Sequence, residues 1–308
     1  MVDNMLKDLC KSEEAFGGKY VIFGDDFRQI LPVVKFANPS TIINSSLKCS
    51  NVWKISKTLH RKQNMRARDA KHADWLLKIG NGTIDSVEIP SKWQTEDVVT
   101  SIYGKDIKNN SNLSKKVILA GHNDDVRVLN KKILSRLEGN VKTYYSIDLA
   151  KPRGVDQSEE DVTLDYQIDY LNSLRFPGFP EHKLELKVGA VVMLLRNLCV
   201  NEGLCNGTRL QIVKMYTNNI SARVLTGDKQ GDIVFIPRIK LDTGESSNLP
   251  FVLHRRQFPV ALAFAITKNK AQGQSFPEVG LYLNKPLFSH GQLYVALSRC
   301  SNKDRITW

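Results

Sequence analysis

No run of apolar residues in this 308-residue chain approaches the ~20 needed to cross a bilayer as a helix, and no signal-peptide pattern opens it. A membrane-spanning helix within these residues is therefore not expected. Cysteine is scarce and scattered: Cys10, Cys49, Cys199, Cys205 and Cys300 are odd in number and include no Cys-x-x-Cys pair. A zinc ribbon and a disulfide framework both fall away, and reduced thiols in an intracellular protein are the expectation. The sequence also lacks internal repeats, low-complexity tracts and dense Lys/Arg runs of the nuclear-localisation type. Without a basic amphipathic helix bearing an aromatic face, a membrane-surface role has no support either.

What is present is an ordinary globular composition, 42% apolar and 25% charged, long enough for two domains or for three if one is small. Lys and Arg total 44 against 32 Asp and Glu, a net charge of +12. Such an excess favours polyanionic partners, nucleic acid first and anionic membrane second.

The segment "GGKYVIFGDDFRQILPVV" predicts a buried strand, Tyr20 to Phe23, running into Gly24 and two acids before Pro32 stops regular structure. A helix is expected over "DAKHADWLLKIGNG", closed by Gly80-Asn81-Gly82. "KKVILAGHNDDVRVLNKKILSRLEGN" reads as strand, loop and helix. Val117 to Ala120 form the strand, and Asn123 or Asp124 caps the helix. Val126, Leu129, Ile133 and Leu137 mark its buried face, and Gly139 ends it. This is the grammar of an α/β sheet. Between Lys151 and His182 the chain is polar and proline-containing, an extended connection. From Leu184 to about Leu253 it reads instead as short strands joined by the turns "CNGT", "YTNN" and "TGDKQG", a small β-barrel. The α/β pattern returns at "RRQFPVALAFAITKNKAQGQS".

Four separated loops carry residues suited to phosphate. Asp26, Arg28 and Gln29 follow the first strand, and Arg66 lies in "QNMR". Thr267, Lys270, Gly273 and Gln274 lie in the turn after a later strand. Arg299 ends "SHGQLYVALSRC", where Leu293, Tyr294, Ala296 and Leu297 form a helix face with Ser289 as cap. A cation at that position is equally what a helix dipole favours, worth about 0.3–1 kcal/mol, so Arg299 alone decides nothing.

Taken together, "FGGKYVIFGDDFRQILPVV", "QNMR", "LKVGAVVMLLRNL", "GLCNGTRLQIV", "RRQFPVALAFAITKNKAQGQSF" and "YVALSR" resemble petite-integration-frequency (PIF) type DNA helicases. They resemble more narrowly the plant versions and those of Helitron-type transposons. The resemblance implies an α/β fold of RecA-like, P-loop NTPase-type parallel sheets, with a small Src-homology-three-like barrel inserted in the second sheet domain. It implies an ATP-driven 5′-to-3′ helicase acting on single-stranded DNA and DNA junctions in repair, recombination or telomere maintenance. It also implies a nuclear monomer that uses ATP and Mg²⁺. By the same resemblance Gln29 senses the γ-phosphate, and Arg66 and Arg299 are arginine fingers. Asp26, Gly273 and Gln274 lie against the nucleotide, whereas Pro32, Thr267, Lys270 and Gln272 face DNA. Planar guanidinium forks suit this work because a loose phosphoryl-transfer transition state spreads charge over the γ-oxygens.

Departures from the family are as informative. The Gly-x-x-x-x-Gly-Lys-Ser/Thr loop that cradles phosphates is absent, as is the Asp-Glu pair that orients Mg²⁺. Asp25 stands where the family usually has glycine. Met1 is accordingly expected just downstream of the magnesium-binding motif, with the Mg²⁺ ligands supplied upstream and no metal site in this chain. The expected layout is a truncated first RecA-like domain at 1–55, a second RecA-like domain at 56–183 and 254–308, and an inserted barrel at 184–253. A non-catalytic DNA-binding remnant is the alternative to an active motor.

Overall fold

The computed structural model describes residues 2–30, 34, 37–60, 69–84, 86–105, 107, 112–154, 163–244, 247–284 and 291–308. Its centre is a parallel sheet of four strands in the order Ala265–Thr267, Lys116–Ala120, Glu278–Tyr282, Ile306–Thr307. Val117 to Ala120 are fully buried, as a central strand of a covered parallel sheet requires, and this is why the segment reads as an unbroken apolar run. Ile118 stands opposite Ala265 on one side and Gly280 on the other, which brings the carboxyl ends of three strands to one edge.

The Asn123–Arg136 helix packs on the two strands at that end of the sheet. Its cap position is His122, one residue before the expected Asn123 or Asp124. Asp124 and Asp125 instead occupy the first turn, where the helix dipole favours carboxylates. Leu129 and Ile133 are buried as the periodicity predicts. Asn130 shares their face. Its amide donates to Ala265 O at 2.9 Å and Leu262 O at 3.2 Å, and accepts from Ala265 N at 2.9 Å. Asn130 thus holds the start of the sheet strand that leads into the phosphate-suited turn.

The Ala70–Asn81 helix forms as expected, capped by the Asp69 side chain and closed at Gly82. The expected strand at Tyr20 to Phe23 does not form. Tyr20 and Ile22 are 105% and 94% exposed, and among the described residues no strand lies beside this segment to take its backbone hydrogen bonds. An apolar β-branched run becomes a strand only where a neighbour pairs with it.

The β-rich region extends further than 184–253. A five-stranded antiparallel sheet runs Val260–Leu262, Val191–Leu194, Arg209–Met215, Asn219–Val224, Ile233–Pro237. Ile147–Lys151 pairs with Val252–Gln257 and that strand with Ile239–Asp242, while Lys142–Tyr145 pairs with Lys183–Leu186. Strand pairing therefore carries this region from Lys142 to Leu262. The stretch expected to be an extended connection contains the Ile168–Ser173 helix.

One buried guanidinium joins the two sheet systems. Arg209, on the antiparallel sheet, donates from Nη1 to Ser114 O at 3.0 Å and from Nη2 to Lys116 O at 2.9 Å and Ala263 O at 3.2 Å. Its plane lies over Phe276, 5.1 Å from the ring centroid. The hydrophobic core is correspondingly continuous between the sheets.

Candidate functional site

The turn from Lys268 to Gln274 leaves the sheet at the carboxyl end of the Ala265–Thr267 strand, where open α/β sheets place ligands. It has two sides. On one side Thr267, Asn269 and Lys270 line a cavity of about 670 Å³ between the Asn123–Arg136 helix and the Arg175–Glu185 segment. Lys270 is exposed at its rim. On the other side the Gln274 carbonyl accepts from Arg299 Nη1 at 3.2 Å, and the Gln274 amide donates to Lys270 O at 3.1 Å. Gln272 and Gly273 are exposed at the tip.

Arg299 follows the Gln292–Leu297 helix and is only 1% exposed. Its Nε donates to Val295 O at 2.9 Å and its Nη2 to Ser298 Oγ at 2.8 Å. The contact with Val295 O is the helix-end interaction that the dipole favours. The contact with Gln274 adds a fixed link to the turn. Both features meet in one side chain. The expected Ser289 cap lies outside the described residues, and Gly291 occupies the cap position.

Asp26 and Gln29 also reach this helix. Gln29 Nε2 donates to Asp26 Oδ2 at 3.3 Å, and the Tyr294 hydroxyl donates to the same oxygen at 3.2 Å. Burial first, and then the Asp26 carboxylate, raise the Tyr294 pKa and keep that hydroxyl a donor. A Cβ at Gly291 would lie 2.4 Å from Gln29 O, so only glycine lets the Gln29 loop sit on the helix start. Arg28 pairs with Asp26 Oδ1 at 3.5 Å and donates from Nε to Asn81 Oδ1 at 2.7 Å. The folded chain thus brings Asp26, Gln29, Gln274 and Arg299 around one six-residue helix, and Thr267 and Lys270 onto the neighbouring cavity. Arg66 and Pro32 lie outside the described residues. Among the described residues no group of three or more His, Cys, Asp or Glu is placed to hold a metal. They supply no carboxylate set fit for Mg²⁺.

Sequence reasoning missed Lys268 and Gln292. Lys268 is 1% exposed, and its Nζ donates to Gln292 Oε1 at 2.8 Å, tying the turn to the first residue of the helix. Nothing in "TKNKAQ" separates Lys268 from its solvated neighbours. Asn130 was detectable: it falls four residues after Val126 and three before Ile133, on the face expected to be apolar.

Burial lowers the Lys268 pKa from 10.5 to about 8. Between these values the unfolded chain binds more protons than the folded one, so this group's contribution to stability rises with pH across that window. Denaturation midpoints at pH 7.5 and 9.5 should therefore move upward more in the native chain than in Lys268→Met. Parallel profiles would refute the shift.

The amino-terminal part matches the family model "PIF1-like helicase" over residues 1–90, and residues 169–215 match "DNA helicase Pif1, 2B domain". "ATP-dependent DNA helicase PIF1" of Xenopus laevis is 29% identical over 300 residues, 94% of this chain and 41% of the relative. The protein of the same name from Mus musculus is 35% identical over 184 residues, 59% of this chain and 25% of the relative. The chain thus spans less than half the length of these curated relatives. Among solved structures, Bacteroides Pif1 bound to ssDNA superposes with a TM-score of 0.71 at 24% identity, over 99% of this chain and 66% of that one. Two coordinating Pif1 helicases on forked dsDNA give 0.68 at 23% identity, covering 99% and 64%. At such identities the likeness is one of fold.

Proposed function

We propose that this chain, which matches PIF1-like helicase models over residues 1–90 and 169–215, forms the carboxyl-terminal part of an ATP-dependent 5′-to-3′ DNA helicase motor. One observation carries the reading. A single turn presents Thr267 and Lys270 to a cavity on one side and fixes Arg299 through Gln274 on the other. Strand-contacting and phosphate-facing residues separated by so few bonds can move together. In this reading Thr267, Lys270, Gln272 and Pro32 contact the DNA backbone. Asp26, Gln29, Gly273 and Gln274 lie along the nucleotide, with Arg299 and Arg66 directed to the γ-phosphate. The Arg299 guanidinium, held by Val295, Gln274 and Ser298, meets the charge that develops there without reorganising. In the same reading the Src-homology-three-like insertion occupies 184–253. ATP with Mg²⁺ as substrate, action in genome maintenance, a nuclear location and a monomeric state belong to the same reading.

The net charge of +12 suits a second reading equally, a single-strand-binding protein without ATP turnover. Both readings require binding to single-stranded DNA with little sequence preference. Backbone binding releases counterions, so log affinity should fall with log salt by about 0.7 per phosphate neutralised. Lys270→Ala should weaken binding and lower that slope by roughly one phosphate's share. Fluorescence-anisotropy titrations at several salt concentrations measure both quantities, and a flat salt dependence defeats both readings.

A further inference from the structure

The cavity beside Thr267 and Lys270 is built for more than a phosphate backbone. Its far wall is the "RFPGFP" segment, which contributes Phe176 and Phe179, and its polar wall is the strand end and turn carrying Thr267, Asn269 and Lys270. The two rings meet edge to face, with centroids 6.0 Å apart at 78°. Phe179 is buried beneath the Arg196 guanidinium, whereas Phe176 remains partly accessible. Of the acidic residues in the lining, Asp124 and Glu185 are already paired with Arg127 and Lys183.

The aromatic wall is held from behind. Arg255, fully buried, donates from Nη1 to Pro180 O at 2.9 Å and Leu174 O at 3.3 Å, the two ends of the Phe-containing segment. Asp148 fixes that guanidinium through contacts of 2.6 and 2.9 Å. A loop clamped at both ends by a buried ion pair presents its ring at a fixed distance from the turn. Aromatic faces stack on any base, while an amide such as that of Asn269 offers hydrogen bonds to its edge.

We propose that this cavity is a pocket for an unpaired nucleobase of a single strand, stacked on Phe176 with its adjoining phosphate at Lys270. The inference rests on the single-strand reading above and assigns the base as well as the backbone a place. The test uses the 308-residue chain with two fluorescent oligonucleotides of equal length, oligothymidylate and an abasic strand with the same phosphates. The native chain should bind oligothymidylate roughly tenfold more tightly, the scale of one stacked base. Phe176→Ala and Phe176→Leu should both lose that preference while keeping the salt slope, and Phe176→Tyr should retain it. Equal binding of the two strands by the native chain overturns the pocket and leaves the backbone reading standing. A preference undiminished in Phe176→Leu overturns the assignment to this ring. Failure to bind either strand overturns the pocket and the single-strand reading together.

Discussion

Replacing Arg299 with alanine, in a form of this chain joined to the P-loop half of a relative, is expected to slow ATP hydrolysis by about 10³-fold or more. Removal of a guanidinium that meets transition-state charge has that scale of effect. The 308-residue chain by itself should show negligible turnover, because a finger sharpens only a site that already holds the β- and γ-phosphates. The buried setting of Arg299 adds a second consequence. Three of its donors serve Val295 O, Gln274 O and Ser298 Oγ, so truncation also removes three hydrogen bonds, at about 1–3 kcal/mol. Melting temperature alone therefore cannot distinguish a finger from a helix-end cation. Turnover measured well below the melting transition can. Arg299→Lys keeps the charge and loses the fork, and it should still lose most of the rate while DNA affinity without nucleotide stays unchanged. Native turnover in either variant would make Arg299 a structural residue of the helix end.

Asp148→Ala should destabilise the chain by about 3–5 kcal/mol, the cost of leaving a buried partner charge uncompensated. Arg255 and Asp148 are both fully buried, and Ser146 Oγ donates to Asp148 Oδ1 at 2.6 Å while standing 2.8 Å from His182 Nδ1. Burial lowers the His182 pKa against the opposing pull of Asp148. Replacing both members, Arg255→Met with Asp148→Leu, removes the stranded charge but also removes the guanidinium donors to the carbonyls of Leu174 and Pro180. The double variant should thus recover part of the loss and not all of it. Urea midpoints of the native chain and both variants measure this, and a loss below about 1 kcal/mol in Asp148→Ala would mean that water reaches Arg255.

The parallel-sheet core was legible because its signals are local. Val117 to Ala120 form a continuous apolar run, and the helix after it repeats Leu129 and Ile133 on one face. The turns "YTNN" and "TGDKQG" each close between paired strands, since turn chemistry acts over a few residues. Tyr20 to Phe23 misled for the complementary reason. The same local apolar signal needs a neighbouring strand, and pairing is not encoded in the segment itself.

The sequence by itself determined the α/β class, the β-rich middle of the chain and the residue types at the phosphate-suited loops, since these depend on periodicity, turn residues and side-chain chemistry. Tertiary structure alone decided which of them meet. It seats the Gln29 loop on Gly291, buries Arg299 against Gln274, and turns Lys268 inward to Gln292 while Lys270, two residues on, stays at the cavity rim. Whether a lysine in a polar turn is solvated or desolvated depends on residues far along the chain that pack around it. No pattern within the turn records that environment.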